Sequence, residues 1–300
     1  MSAGGSGAGS GPGLPTGGPT SRLRSRAGRD LPAAIGVGAG LSAALIASLT
    51  WWVPGFVILV ATLIGMAAAE LHRALKSLGM NSALVVIEVG IVVLLSGAYV
   101  IERHTDLPTA TFIVVCLGAM VLAAFLARIP GGPHGFIRDT AASMLTITYL
   151  PLMGSFASLL VAADHCPARV FMWLGAVICS DTGGYVAGVL LGRHRMAPGI
   201  SPKKTWEGFG GSLLLGAVFG IPMAQFALGI PWWVGAGIGL LLAAAGTCGD
   251  LVESMFKRDL GIKDMGTLLP GHGGVTDRID SMLLSAPVAW LLMHFLVPGA

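Results

Sequence analysis

The sequence predicts an all-α, polytopic membrane protein with about nine transmembrane helices and a disordered N-terminal tail rich in Gly, Ser and Pro. Of its 300 residues, 54% are hydrophobic and only 11% are charged, whereas a soluble domain carries about 25% charged residues. The apolar residues also occur in runs of about 20, the length that an α-helix needs to cross a bilayer. We therefore expect lipid to be the solvent for most of the chain.

Residues 1–30 are predicted to form a disordered, basic tail. Residues 1–20 are almost entirely Gly, Ser, Pro, Ala and Thr, which bury too little apolar area to offset the entropy lost on ordering. The arginines that follow are Arg22, Arg24, Arg26 and Arg29. The first apolar run ends at Trp51 and Trp52 without a small-residue cleavage site, which predicts an uncleaved span rather than a signal peptide. Residues 31–300 are predicted to form one transmembrane domain.

Nine apolar runs have the length and composition of membrane spans. They are residues 31–49, 51–69, 83–101, 110–127, 140–163, 169–191, 209–229, 232–249 and 281–297. Trp and Pro separate the first run from the second and the seventh from the eighth, which predicts tight turns at the membrane interface.

The distribution of Lys and Arg predicts a cytoplasmic N-terminus. With that orientation only Arg103 and Arg169, of 18 Lys and Arg, lie in outside segments, as the positive-inside rule requires. The two longest cytoplasmic segments are then residues 192–208 and 250–280. Because long polar segments between membrane helices usually hold binding groups, we expect an active site built mainly from residues 180–281.

The first polar group in that region is the sequence SDTGGY, which contains Asp181 within an apolar run. A carboxylate there costs about 2.5–3.5 kcal/mol or more, so it should face the protein interior, a cation or a polar partner. A structural hydrogen bond to a neighbouring helix is the alternative. Small residues also recur at every fourth position, which predicts close packing of another helix on this face. They are Ser180, Gly184, Gly188 and Gly192.

The second group contains Lys203 and Lys204 between Ser201 and Thr205, just before the seventh span. Ammonium charges, hydroxyl groups and the free N–H groups of a helix N-terminus together favour an anion-binding site. An ordinary positive-inside anchor with a helix cap is the alternative.

The third group lies where the eighth span is predicted to continue as a helix beyond its apolar run. With 3.6 residues per turn, Asp250, Ser254 and Lys257 share one face, and Glu253 and Arg258 lie close to it. That face would combine carboxylate, hydroxyl and ammonium groups. A solvated helix face with mixed charges is the alternative.

The fourth group surrounds His272, where Pro and three Gly predict a loop whose backbone can approach a phosphate closely. His272 itself could instead simply cap the loop. Asp277 and Asp280 follow one helical turn apart. Mg²⁺ is bound through one or two carboxylates together with substrate phosphates, so Asp250 and Asp277 meeting from two helices would suffice.

Other chemistry is not indicated. The four cysteines are scattered without the spacing of a zinc site or a disulfide framework. The chain also lacks the G-x-x-x-x-G-K-[ST] sequence of a P-loop nucleotide-binding protein. Carboxylates, Lys, Arg and a Gly-rich turn at a membrane surface instead suit metal-assisted transfer of a phosphorylated group.

Residues 254–280, SMFKRDLGIKDMGTLLPGHGGVTDRID, resemble the signature of the bacterial phosphatidate cytidylyltransferase family. In that family S-x-x-K-R, K-D and H-G-G-x-x-D-R-x-D recur in this order, and every fixed position is filled here. The sequences SDTGGYVAG and SPKKTWEG also resemble the family. The resemblance covers about the last half of the chain, and the first five spans match only in hydropathy.

This resemblance implies that a phosphatidate oxygen attacks the α-phosphorus of CTP, giving CDP-diacylglycerol and pyrophosphate. It also implies a requirement for Mg²⁺, to which a second cation could be added. The implied catalytic residues are Asp250, Asp277, Lys257, Arg258, His272 and Asp181, with Asp250 and Asp277 as the metal ligands. The implied substrate-binding residues are Ser201, Lys203, Lys204, Thr205, Ser254, Lys263, Asp264, Gly273, Gly274, Arg278 and Asp280.

The expected partners are CTP, phosphatidate and membrane lipid, with no nucleic acid, and the sequence also allows a homodimer. The expected location is the cell (inner) membrane. One alternative function is that of another lipid-phosphate enzyme, such as a CTP-dependent polyprenol kinase, which would release CDP. A secondary transporter is an alternative of another class, since Asp181 and Glu88 could mark an ion path. The chain lacks the internal repeat typical of transporters, and a structural role is expected for Glu88.

Overall fold

The computed structural model describes residue 40, residues 43–266 and residues 273–298. Eight helical segments in this part are long and apolar enough to cross a membrane, and the chain is an integral membrane protein. The helices are α1 (Val53–Ser77), α2 (Leu84–His104), α3 (Thr109–Arg128), α4 (Phe136–Ile147), α5 (Met153–Ala162), α6 (Cys166–Leu191), α7 (Trp206–Pro222), α8 (Trp232–Asp259) and α9 (Thr276–Leu296). Helices α4 and α5 form one span, joined by a π-helical turn, Thr148–Leu152, that contains Pro151.

Eight of the nine predicted spans correspond to these segments, and the helical membrane fold is confirmed. The predicted first span, residues 31–49, lies largely outside the described residues, where only its end is seen in a helix over residues 43–51. The predicted tail, residues 1–30, and His272 lie wholly outside them. Helix α8 continues past its apolar run to Asp259, as predicted.

The connection between α6 and α7 contains a feature that the sequence analysis did not predict. Strands β1 (Arg195–Ala197) and β2 (Ser201–Thr205) form an antiparallel hairpin, with Arg195 opposite Thr205. Glu207, in the first turn of α7, accepts hydrogen bonds from the backbone N–H groups of Arg193 and His194 and pairs with the His194 ring. The base of the hairpin is thereby attached to the start of α7.

Helices α6 and α7 pack backbone to backbone, as the four-residue spacing of small residues predicted. A Cβ atom on Gly184 would lie 3.6 Å from the carbonyl oxygen of Gly208, and one on Gly188 would lie 3.8 Å from the Cα of Gly208. The Ser212 hydroxyl donates to the carbonyl of Ser180 at 2.9 Å. This face therefore serves packing.

The loops 78–83, 129–135 and 192–205, together with the described part of 260–275, lie at one end of the bundle, which we call the polar end. Contacts between distant segments bring these loops together. The N–H of Asn81 donates to Asp139 at 2.7 Å, and Arg128 pairs with the same carboxylate at 2.6 Å. Apart from Arg103 and Arg169, the Lys and Arg residues of the described part lie at this end.

Arg169, which the sequence analysis counted with the outside segments at the start of the sixth span, lies inside α6, because that helix begins at Cys166. Its side chain is 1% exposed. The guanidinium donates to the carbonyl of Asp164 at 2.8 Å and to that of Met293, near the end of α9, at 3.0 Å. Arg169 therefore binds together two helix ends opposite the polar end.

Candidate active site

A cavity of about 400 Å³ opens at the polar end between α6, α7, α8, α9 and the hairpin. The cavity is lined by eight residues that the sequence analysis had proposed for the site, of which three are positively and four negatively charged. They are Asp181, Lys203, Lys204, Thr205, Asp250, Lys257, Asp277 and Asp280. Asp250 and Asp277, from two different helices, therefore face one space at one end of the bundle, as predicted.

The hairpin brings a lysine to the carboxylate of α8. The Nζ atom of Lys204 lies 2.6 Å from Oδ2 of Asp250 and donates to the carbonyl of Thr247 at 3.4 Å. Arg258, two turns further along α8, donates to the carbonyl of Ile200 at 3.0 Å. Helix α8 therefore contacts the hairpin at two places, through Asp250 and through Arg258. These two contacts fix Lys204 at the cavity.

A second ion pair links α8 to α9. The Nζ atom of Lys257 lies 3.0 Å from Oδ1 of Asp277, and the same ammonium pairs with Glu253 one turn earlier on α8. The side chain of Glu253 is fully buried. Lys257 therefore contacts the acidic side chains of both helices.

The other carboxylate oxygen of Asp277 organises the loop before α9. It accepts hydrogen bonds from the N–H groups of Met265 at 3.0 Å and of Gly274 at 2.9 Å. Gly273 has φ +82°, a conformation that residues with a Cβ atom rarely adopt. A Cβ atom on Gly274 would lie 2.9 Å from this carboxylate oxygen. Both glycines of the H-G-G sequence are therefore required by the backbone path around Asp277.

Asp181 and Asp280 complete the acidic wall of the cavity. Asp280 accepts from the N–H of Ser281 at 2.7 Å and from its hydroxyl at 3.3 Å. Asp181 faces the polar cavity from within α6, the orientation expected of a carboxylate inside a membrane span. The arrangement sets three lysines against four carboxylates, a charge pattern suited to binding a polyanion together with a cation.

A model of the cytidylyltransferase family matches residues 33–296 of this chain. The chain belongs to the cytidylyltransferase family. It is 41% identical over 280 residues to a phosphatidate cytidylyltransferase of Mycobacterium leprae, a match that covers 90% of each chain. It is 40% identical over 285 residues to the Mycobacterium tuberculosis protein of the same name, covering 91% of this chain and 85% of the relative.

A shorter match links the chain to a relative from another organism. A phosphatidate cytidylyltransferase of Staphylococcus aureus is 42% identical over 127 residues, which is 42% of this chain and 47% of the relative. The long matches to the mycobacterial relatives show that the family likeness extends into the N-terminal spans, where the sequence analysis found only similar hydropathy.

Some residues implied by the family resemblance do not line the cavity. They are Ser201, Ser254, Arg258, Lys263, Asp264, Gly273, Gly274 and Arg278. Arg258, Gly273 and Gly274 instead support the hairpin and the loop that form its walls. His272 lies outside the described residues, so its implied role stays a prediction.

Thr205 confirms the helix cap that the sequence left open for its segment, whereas anion binding there stays a prediction. Its hydroxyl accepts from the N–H of Gly208 at 3.1 Å, so it caps the N-terminus of α7. It also lines the cavity beside Lys203 and Lys204. The helix cap and the lysines predicted to bind an anion therefore lie side by side.

Two buried carboxylates near the site received no role from the sequence. Glu253 was noted beside the helix face of Lys257, but its burial was not foreseen. Glu70, in α1, was missed entirely, although it hydrogen-bonds to the residues just before Asp277. The only sequence signal for Glu70 was a lone carboxylate at the end of an apolar run.

Proposed function

We propose that this chain transfers the CMP moiety of CTP to phosphatidate, giving CDP-diacylglycerol and pyrophosphate in phospholipid biosynthesis. The observation that carries the proposal is the cavity at the polar end, where three lysines and four carboxylates meet at the boundary of the spans. Its occurrence in a member of the cytidylyltransferase family, about 40% identical to phosphatidate cytidylyltransferases over most of the chain, supports this reaction.

In the proposed reaction an oxygen of the phosphatidate phosphate forms a bond to the α-phosphorus of CTP. The bond between that phosphorus and the oxygen bridging to the β-phosphate breaks, and pyrophosphate leaves with the electron pair. We assign no general base, because a phosphate monoester is already an anion near neutral pH. Lys203, Lys204 and Lys257 would neutralise the phosphates and the charge that develops on the leaving group.

The donors in the cavity fit Mg²⁺, the cation that the family resemblance implies. Within the described residues no three His, Cys, Asp or Glu side chains form a metal-binding group by themselves. Mg²⁺ does not require such a group, because one or two carboxylates plus substrate phosphates suffice. Asp250 and Asp277 would hold it, and when bound it would polarise the phosphates and balance their charge. A second cation stays a prediction, with Asp181 and Asp280 as further carboxylates nearby.

The location of the cavity suits a lipid and a water-soluble nucleotide together. Phosphatidate would keep its acyl chains in the leaflet while its phosphate reaches the cavity, and CTP would enter from the water. Tyr185, 73% exposed, and Phe209 line the cavity on the α6 and α7 side, which favours a lateral opening there. Crosslinking of a photoactive phosphatidate only to loops would argue against that opening.

The positive-inside rule supports placing the polar end in the cytoplasm, with the N-terminus on the same side. We expect the cell (inner) membrane as the location. Labelling of single cysteines introduced at Lys76 and at Asp106 tests this orientation. A membrane-impermeant reagent applied to intact cells should label only the cysteine at position 106.

The decisive experiment uses the purified chain in detergent with labelled CTP, phosphatidate and Mg²⁺. We expect equal amounts of pyrophosphate and CDP-diacylglycerol, and no product when EDTA is added. Release of CDP with a phosphorylated lipid would instead identify the kinase alternative. Chemical crosslinking of the same preparation tests the homodimer, which stays a prediction.

A further inference from the structure

Glu70 is a buried carboxylate that the reaction described above does not use. It lies in α1, seven residues before the end of that helix, and its side chain is 0% exposed. Within the described residues it forms no ion pair with Lys, Arg or His. A buried carboxylate without a cation is costly unless hydrogen bonds satisfy it, so its partners indicate what it does.

Its partners are the backbone groups at the N-terminus of α9. Oε1 accepts from the N–H of Val275 at 2.9 Å, and Oε2 accepts from the N–H and the hydroxyl of Thr276, each at 2.9 Å. Helix α9 has no capping side chain of its own. The free N–H groups at a helix start carry partial positive charge, and a carboxylate from α1 satisfies them.

The same turn is held from its other side by Asp277. A Cβ atom on Gly274 would lie 2.7 Å from Oε2 of Glu70 and 2.9 Å from Oδ2 of Asp277. The two carboxylates thus enclose one glycine, and Gly266 leaves room for the Glu70 carboxylate from the preceding loop. Displacement of Thr276 would therefore displace Asp277, the next residue in the chain.

We infer that Glu70 is a positioning residue for the transfer reaction, which sets the place of Asp277 and, through it, of Lys257. The inference rests on the proposed function. It gives the N-terminal half a defined part in the active site, although none of the described helices α1–α5 lines the cavity. Glu70 does not touch the cavity and acts only through α9.

The test is the Glu70→Gln variant in the full-length chain. Both oxygens of Glu70 accept hydrogen bonds from backbone N–H groups. In Glu70→Gln the amide NH₂ replaces one of these acceptors with a donor, which cannot bond to the N–H group that it faces. We expect kcat to fall by about 10- to 100-fold, the size expected for a small misplacement of a reacting group. The KM values for CTP and phosphatidate should change by less than about threefold, because the cavity walls remain.

Hydrogen exchange supplies a readout that does not depend on turnover. We expect faster amide exchange confined to residues 273–283 in Glu70→Gln, because only the start of α9 loses its cap. Glu88→Gln is the matched control. Glu88 is a half-buried carboxylate on α2 that faces Gly65, away from the cavity, and its replacement should leave both kcat and exchange of this segment unchanged.

A double variant separates positioning from general stability. If Glu70 acts through Asp277, Glu70→Gln combined with Asp277→Asn should lose much less activity than the product of the two single losses.

Wild-type kcat in Glu70→Gln overturns the inference, and so does exchange that rises evenly through all helices. If the wild-type chain makes no CDP-diacylglycerol, the proposed function fails, whereas the exchange result still decides whether Glu70 holds α9.

Discussion

Most glycines of α6, α7 and α8 that meet a neighbouring helix contact its backbone, whereas the glycines of α2 contact side chains. Gly175 of α6, which meets the Phe219 ring, is the exception. A Cβ atom on Gly216 of α7 would lie 2.7 Å from the carbonyl oxygen of Gly239 in α8, and one on Gly249 would lie 3.0 Å from the Cα of Ser281 in α9. In α2, by contrast, a Cβ atom on Gly90 or Gly97 would meet only the side chains of α3. The C-terminal helices therefore pack with their main chains in direct contact.

The difference explains where the polar cavity lies. Side chains can change rotamer to absorb a small shift, but two main chains in contact cannot. A reacting group needs to be held within about 0.5 Å of its productive position, which favours rigid supporting elements. Helices α6, α8 and α9 supply five of the seven charged residues of the cavity, and the hairpin beside them supplies Lys203 and Lys204. The N-terminal helices contribute through Glu70 at one defined point.

The largest effect is expected from Asp277→Asn. A neutral amide is a poor ligand for Mg²⁺, and its NH₂ group cannot accept from Lys257 or from the loop N–H groups. We expect turnover to fall by about 10²- to 10³-fold, as for the loss of a main charge-stabilising group. The control is Asp259→Asn at the exposed end of α8. Normal turnover in folded Asp277→Asn protein would remove this residue from the proposed site.

Lys257→Met should have the next largest effect. The substitution keeps the aliphatic chain but removes the ammonium that contacts both Glu253 and Asp277, so Asp277 loses its charged hydrogen bond. We expect kcat to fall by about 10- to 100-fold, the range for losing a charged hydrogen bond. Lys76→Met, at the same end but on the exposed surface of α1, should retain wild-type kcat. Similar losses in both variants would mean that the general charge of the polar end matters rather than this pair.

Gly216→Ala and Gly97→Ala test the contrast in packing directly. The added methyl group meets a carbonyl oxygen in the first case and the Phe112 ring in the second. We expect Gly216→Ala to lower the free energy of unfolding by about 2 kcal/mol through overpacking. Gly97→Ala should be nearly neutral, because the ring can turn away and Ala is the better helix former. Thermal unfolding in detergent measures both, and equal losses would contradict the distinction between the two halves.

Most of the fold and all seven charged residues of the cavity lining were predictable because their signals are contiguous in sequence. Apolar runs of fixed length define the spans. Asp250 and Lys257 share a helix face by simple periodicity, and Asp277 follows a Gly-rich loop. Such features need no knowledge of distant contacts, so the position of the cavity at the polar end followed from the sequence.

The missed features depend on contacts across the whole chain. Glu70 binds Thr276, which is 206 positions away, and no local pattern records that distance. The hairpin was missed because strands of three and five residues have too little length for a periodic signal. The burial of Arg169 was missed because its partners are the backbone carbonyls of Asp164 and Met293, and every residue carries a carbonyl.

The smallest effect is expected from Arg169→Met, at the end of the bundle opposite the cavity. The change removes the hydrogen bond from the guanidinium to the carbonyl of Met293, which keeps only the bond from the N–H of Val297, and the loss costs about 1–2 kcal/mol. Arg103→Met is the matched control, since the Arg103–Asp164 pair at 3.2 Å is largely exposed and contributes about 0–1 kcal/mol. We expect a lower unfolding temperature for Arg169→Met with unchanged kcat at 25 °C, because α9 is held at its other end by Glu70 and Asp277. If kcat falls together with the unfolding temperature, the two ends of α9 are mechanically coupled. A displacement at the Arg169 end would then also displace Asp277.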